Sequence, residues 1–182
     1  MKLGRSRVRA ALLLLVLPMT IASGSPLARA RCTLEGTNGH DVLRGTPRRD
    51  IICARGGRDV VIARGGDDLV FGGRGGDHVE GGRGDDRIHG GAGMDSVAGE
   101  QGDDRIFGEG DGDAYLAGNS GGDKLRGGRG ADRCIDATDG KRGNDLVVGG
   151  RGKDTYQADR DDRILLVEEE DAECPAIPTP PP

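Results

Sequence analysis

The chain has 182 residues, 35 of them glycine, with 2% aromatics, no tryptophan and 31% charged residues. Glycine far above its usual share of about 7% leaves too few large apolar side chains for a thick globular core. Collagen is excluded because glycine does not recur at every third residue. Two alternatives stay open: low-complexity disorder, or a repeat architecture that needs little core.

The first segment, residues 1–30, reads as a secretory leader. Lys2, Arg5, Arg7 and Arg9 form a basic start, Ala10 to Leu17 an apolar run, and Ala28-Arg29-Ala30 a small-x-small cleavage pattern. The apolar run is too short to span a bilayer, which takes about 20 residues. Cleavage after Ala30 takes the formal net charge from −5 to −10, since the leader carries five basic residues and no acidic ones. That balance argues against nucleic acid, membrane insertion and anionic surfaces as partners, and for cations. The expected product is secreted and extracellular. Four cysteines in such a product suggest two disulfides, and three connectivities are open. Cys32 and Cys53 flank the start of the chain's repeats, and Cys134 and Cys174 the end, so local Cys32–Cys53 and Cys134–Cys174 staples are expected.

Residues 31–35 then form a short N-terminal cap, and a repeat begins at Gly36. Asp41, Asp50, Asp59, Asp68, Asp77, Asp86, Asp95, Asp104 and Asp113 recur every nine residues. After a one-residue insertion placed near Ala117 the series resumes at Asp123 and Asp132. A four-residue insertion around Asp136 to Asp139 precedes Asp145 and Asp154. Thirteen nonapeptides thus run over 36–157. Two residues beyond each Asp stands an apolar residue: Leu43, Ile52, Val61, Val70, Val79, Ile88, Val97 and Ile106, continued by Tyr115, Leu125, Cys134, Val147 and Tyr156. The reading is a six-residue glycine-rich turn followed by a three-residue strand with one inward side chain.

The central copies GGRGGDHVE (72–80), GGRGDDRIH (81–89) and GGAGMDSVA (90–98) carry the pattern Gly-Gly-x-Gly-x-Asp-x-U-x, with U a large aliphatic. This resembles the RTX, or haemolysin-type, calcium-binding repeat of secreted proteins. The resemblance implies an all-β parallel β-roll, a right-handed solenoid with two nonapeptides per 18-residue coil and successive coils stacked as two parallel sheets.

That coil stacks aspartates 18 residues apart, about 4.8 Å from one another. One column holds Asp41, Asp59, Asp77, Asp95 and Asp113, the other Asp50, Asp68, Asp86 and Asp104. Carboxylates so placed repel unless a cation lies between them. Calcium takes 6–8 oxygens from carboxylates and carbonyls, whereas magnesium demands octahedral geometry and holds its waters. The expected sites use the thirteen aspartates with the turn glycines Gly57, Gly66, Gly73, Gly75, Gly82, Gly84, Gly91, Gly93 and Gly102. Arg48, which follows Pro47 in the second copy, and Asp111 in the ninth depart from glycine at the fourth position and weaken their turns. A core of one side chain per strand is too thin to order so glycine-rich a chain, so folding is expected to require calcium.

Outside the pattern, Val42, Ile51, Val60, Ile62, Leu69 and Phe71 flank the first strands and point outward. They are a candidate self-association face, with burial under the N-terminal segment or packing along the edge as the plainer alternative. Arginines at the turn corners, among them Arg55, Arg64, Arg74, Arg83, Arg129, Arg142 and Arg151, are expected to offset carboxylate charge; a polyanion site is the less favoured use. His40, His78 and His89 fall at three different repeat positions. No nucleophile–base motif appears, so no enzyme is expected. Residues 158–182 change character: Arg163 to Val167 reads as a capping strand, followed by an acidic and proline-rich tail. The functional expectation is a secreted binder of several calcium ions. Its alternative is a calcium-rigidified adhesin or matrix module for a cell-surface or polysaccharide partner.

Overall fold

A computed structural model describes residues 31–139, 145–160, 162–165 and 169–170. The leader, Arg142, Cys174 and the tail beyond residue 170 lie outside the described residues. The described chain is all strand and turn, with two parallel eight-stranded sheets. One, the odd sheet, contains β1 (Leu34–Glu35), β3 (Ile51–Cys53), β5 (Leu69–Arg74), β7 (Arg87–Ala92), β9 (Arg105–Gly110), β11 (Lys124–Arg129), β13 (Leu146–Arg151) and β15 (Arg163–Leu165). The even sheet contains β2 (Val42–Arg44), β4 (Val60–Gly65), β6 (His78–Arg83), β8 (Ser96–Gln101), β10 (Tyr115–Ser120), β12 (Ile135–Ala137), β14 (Thr155–Ala158) and β16 (Glu169–Glu170). Consecutive nonapeptides alternate between sheets, so a coil takes two repeats and the chain winds as a β-roll.

Register follows the repeat. Val61 pairs with Val79 and Val70 with Ile88, each 18 residues on. These central side chains meet between the sheets as one continuous core, with Ile52, Val61, Val70, Val79, Ile88, Val97 and Ile106 fully buried. Branched aliphatics suit this place because they fill a narrow pleated interior at low rotamer cost. Tyr156 and Ile164 pack on the far end of the same core.

Three expectations are corrected. The strands are not three residues long: those from β4 to β11 have six, because the second and third turn residues stay in the ladder, as in Arg64↔Gly82 and Gly65↔Arg83. The turn proper is the last three residues of Gly-Gly-x-Gly-x-Asp.

The one-residue insertion lies before β10 rather than at Ala117. The N–H groups of Ala114 and Tyr115 both donate to the Asp95 carbonyl, at 2.9 and 3.3 Å, which is a bulge. The bulge turns Tyr115 outward and puts Leu116 in register with Val97.

The next even strand has the same shift, with Ile135 opposite Leu116. Cys134 therefore lies outside the main core too, buried in a small cluster with Tyr115 and Ala117. Part of the expected four-residue insertion is this second offset.

Cys32 and Cys53 form a disulfide with Cα atoms 5.9 Å apart. Cys134 is also disulfide-bonded, and the partner expected for it, Cys174, lies outside the described residues. The N-terminal flanks point outward: Val42 and Phe71 are exposed, and Ile51, Val60, Ile62 and Leu69 half-buried. They are packed beside one another along the sheets, as in Ile51↔Leu69 and Val42↔Val60, while β1 adds to the edge of the odd sheet next to β3.

Candidate metal centre

The turns bring the predicted aspartates into two unbroken columns. From Asp59 and Asp68 onward each carboxylate accepts, through Oδ1, the backbone N–H of the aspartate one coil earlier. Asp59→Asp77, Asp68→Asp86 and Asp86→Asp104 make this bond at 2.8–2.9 Å. The columns run straight through both insertions, with Asp104→Asp123, Asp113→Asp132, Asp123→Asp145 and Asp132→Asp154 bonded alike. A last bond, Asp145→Asp162 at 3.4 Å, adds to the column an aspartate beyond the thirteen copies. Of the two turns expected to be weak, the one holding Asp111 keeps its place, with Asp113 bonded on both sides. A positive φ of 64° at Asp111 is the local cost of lacking glycine.

The second carboxylate oxygen is the telling one. In Asp59, Asp68, Asp77, Asp86, Asp95, Asp104, Asp113, Asp132 and Asp154, Oδ2 is buried and has no hydrogen-bond partner. It points into its own turn: a methyl group on Gly72 would lie 2.8 Å from the Asp77 Oδ2, and one on Gly90 2.6 Å from that of Asp95. Orphaned buried oxygens are costly, and their recurrence at one repeat position calls for a ligand. The fourth glycines supply a second oxygen set. A methyl group on Gly84 would sit 2.6 Å from the carbonyl oxygen of Gly66, and Gly57, Gly75, Gly93 and Gly102 stack on the coil before them in the same way. The second glycines Gly73, Gly82 and Gly91 lie equally close to the backbone one coil earlier. All of these have positive φ, which glycine adopts without strain.

Among the described residues no group of three or more acid, His or Cys side chains converges. A cation in these turns would therefore be held by stacked carboxylates together with backbone carbonyls. That is an all-oxygen set, which suits a hard divalent ion.

The first two turns differ, and their key residues escaped the sequence reading. Thr37 gives both its N–H (2.6 Å) and its hydroxyl (2.9 Å) to the Asp41 Oδ2. Thr46 does the same for Asp50, at 2.7 and 2.9 Å. The signal was threonine in place of the second glycine, in these two copies alone. Asp41 and Asp50 stay in the columns through Asp59 and Asp68, yet their Oδ2 atoms already have donors. Thr46→Val is therefore expected to cost about 1–2 kcal/mol, the loss of a hydroxyl bond to a charged group. Chemical denaturation of calcium-saturated protein measures it; an unchanged midpoint would refute the assignment.

Electrostatics divide the columns in the same way. The backbone N–H bonds from Thr37 and Thr46 hold Asp41 and Asp50 below the usual carboxylate range. Burial acts the other way further along: it pushes Asp77, Asp86, Asp132 and Asp145 to about 6, Asp68 and Asp95 to about 7, and Asp104 and Asp113 to about 8. Asp59 is raised for the same reason. Without a cation, the folded chain thus binds protons more tightly at these sites than the unfolded chain does. Their stabilisation is complete below the unfolded value of 3.8 and is lost as pH rises through about 6–8. Asp41 and Asp50 have the opposite sign, contributing above that value and losing the contribution as pH falls. The raised group outnumbers the lowered pair. Acidifying cation-free protein from pH 8 to pH 5 should therefore increase its β-sheet circular dichroism; a decrease would contradict this.

A second acid ladder runs beside one column. The N–H of Asp85 donates to Asp67, that of Asp103 to Asp85, and that of Gly122 to Asp103, at 2.9–3.1 Å. The Asp-Asp pairs at 67–68, 85–86 and 103–104 were its visible signal. Among the described residues the corner arginine with an ion pair is Arg55, and its partner is Glu35 rather than a turn carboxylate.

A two-repeat coil with acids and positive-φ glycines stacked at its turns defines a parallel β-roll built to hold cations along its edges. The RTX calcium-binding nonapeptide repeat model matches residues 35–70, 45–79, 71–106, 80–115, 110–135 and 139–165, and the chain belongs to that family. No curated protein matches the chain.

Proposed function

We propose that the chain is an exported calcium-binding module whose 36–157 roll folds as calcium enters the turns. Residues 1–30 would be its leader, 31–35 its N-terminal cap and 158–182 its C-terminal cap and tail. The observation that carries the reading is the row of buried, partnerless Oδ2 atoms. The calcium would be held by the aspartates from Asp59 to Asp154, with carbonyls of the turn glycines. Asp41 and Asp50, already satisfied by threonine, would close the N-terminal end with less need of metal. The basic-then-apolar leader and the Cys32–Cys53 disulfide support an extracellular destination. Affinity in the range of extracellular modules, about 10⁻⁴–10⁻³ M, fits that setting. Nothing in the turns resembles a nucleophile with its base, and the role is binding rather than catalysis.

Asp86→Asn tests the assignment. It keeps an oxygen for the Asp68 N–H and removes the charge from a fully buried site in mid-column. Calcium uptake by equilibrium dialysis should fall, and the calcium midpoint should rise by about tenfold or more, since even outer groups of a metal site cost 10–100-fold. Without calcium the variant should show no less β-sheet circular dichroism than the parent chain, because the buried charge is gone. Undiminished uptake would overturn the assignment.

A further inference from the structure

The two sheets differ sharply in charge. The strands of the odd sheet carry eight Lys and Arg against two Glu, those of the even sheet three Arg against five acids. This follows from the two-repeat coil, which sends alternate copies to opposite faces. Arg87, Arg105 and Lys124 stand in direct register on three neighbouring strands, all exposed. Arg129 and Arg151 are likewise opposed. Like charges placed directly opposite destabilise a sheet.

None of the three ion pairs among the described residues relieves them. Both acids of the odd sheet are engaged elsewhere, Glu35 with Arg55 and Glu109 with His89, and the third pair is His78–Glu80 on the even sheet. Arg105, Lys124, Arg126, Arg129 and Arg151 are exposed and have no acidic partner among the described residues.

The same face is grooved along the roll axis. Phe71, His89 and Phe107 stack as one wall, with ring centroids 5.1 and 4.8 Å apart, and Arg87 lies over Phe107. Gly73, Gly91, Gly128 and Gly150 make a floor broken by Glu109, which turns to His89, and Arg126, Arg129 and Arg151 make a basic rim. Two hollows of about 550 and 430 Å³ share Glu109 and Arg129 and so join into one trough.

We propose that this trough binds an extended anionic polysaccharide lying along the roll axis. The rim cations Arg129 and Arg151 stand on neighbouring strands, about 4.8 Å apart, an interval close to that of successive sugar rings in an extended glycan. The glycine floor lets a ring approach the backbone closely. The trough is one side-chain column wide, too narrow for a nucleic acid duplex or a bilayer. Its aromatic rings cover each other's faces and leave none open between them for a base to stack on. The proposal depends on the calcium reading only in needing a folded roll.

Its test uses the full chain in saturating calcium, with β-sheet circular dichroism recorded on the same sample. The probe is a heparin octasaccharide, compared with neutral dextran, a DNA duplex and anionic phospholipid vesicles. The octasaccharide should bind best, more weakly at high salt, with dextran inert. Arg126→Glu with Arg129→Glu, both lining the trough, should weaken binding by about tenfold or more and leave calcium uptake unchanged. Arg126→Gln with Arg129→Gln should weaken it less and stands in if the charge-reversed chain does not fold. Arg44→Glu with Arg83→Glu, on the even sheet, should have little effect. Absent binding by chain with full β signal, undiminished binding by the odd-sheet variants, or tighter binding of DNA or vesicles would overturn the proposal. Failure of calcium to fold the chain would show separately, in the dichroism.

Discussion

Adding a calcium chelator at neutral pH should abolish the protein's β-sheet circular dichroism, and returning calcium in excess should restore it. The reason lies in the turns. At neutral pH a cation-free roll must keep a row of buried carboxylates either charged without partners or protonated against their ordinary chemistry. Their raised pKa values, up to about 8 at Asp104 and Asp113, express that cost. The core that opposes it is one apolar side chain per strand, and the glycine-rich chain loses much backbone entropy on folding. Metal binding and folding are then one transition. The Cys32–Cys53 staple restricts only the first copies and does not hold the central coils. A β signal that persisted in chelator would refute coupled folding.

Gly75→Ala should be among the most damaging small substitutions in the roll. Gly75 has φ +113°, and a methyl group there would overlap the carbonyl oxygen of Gly57 on the neighbouring coil. Backbone faces it, so no side chain can swing aside. The coil would have to separate from its neighbour, at a cost of about 3 kcal/mol or more once φ strain and lost stacking are combined. Gly65→Ala is the matched control: its methyl group would meet only ordinary contacts at 3.5 and 3.7 Å, without a positive φ. Calcium-saturated thermal melts should show a clear loss of stability for the first and little change for the second. Equal melts would mean that the stacking of the fourth glycines is not what holds the coils in contact.

The two-repeat coil, both aspartate columns and most inward side chains were legible in the sequence because a nine-residue period leaves little freedom. Stepping by nine from Asp41 lands on each column member up to Asp113, and the aliphatic two residues on must face inward. What was not legible depended on where extra residues are absorbed. The bulge at Ala114–Tyr115 exchanges Tyr115 for Leu116 in the core, and its counterpart exchanges Cys134 for Ile135; counting residues cannot place a bulge. The double donation by Thr37 and Thr46 was missed because threonine there reads as a lapse from glycine rather than a substitute for a ligand. The basic face was hidden for a third reason. A net charge averages over two sheets that the coil separates, so an acidic chain can carry a strongly cationic face.

The central claim is that the stacked turns hold calcium. Calorimetric titration of the chelator-treated full chain with calcium tests it most directly, because it counts the ions. The account predicts cooperative uptake of several ions per chain, approaching one for each partnerless Oδ2, with β-sheet signal gained in step. Uptake of a single ion or none, or saturation without any gain in structure, would contradict it.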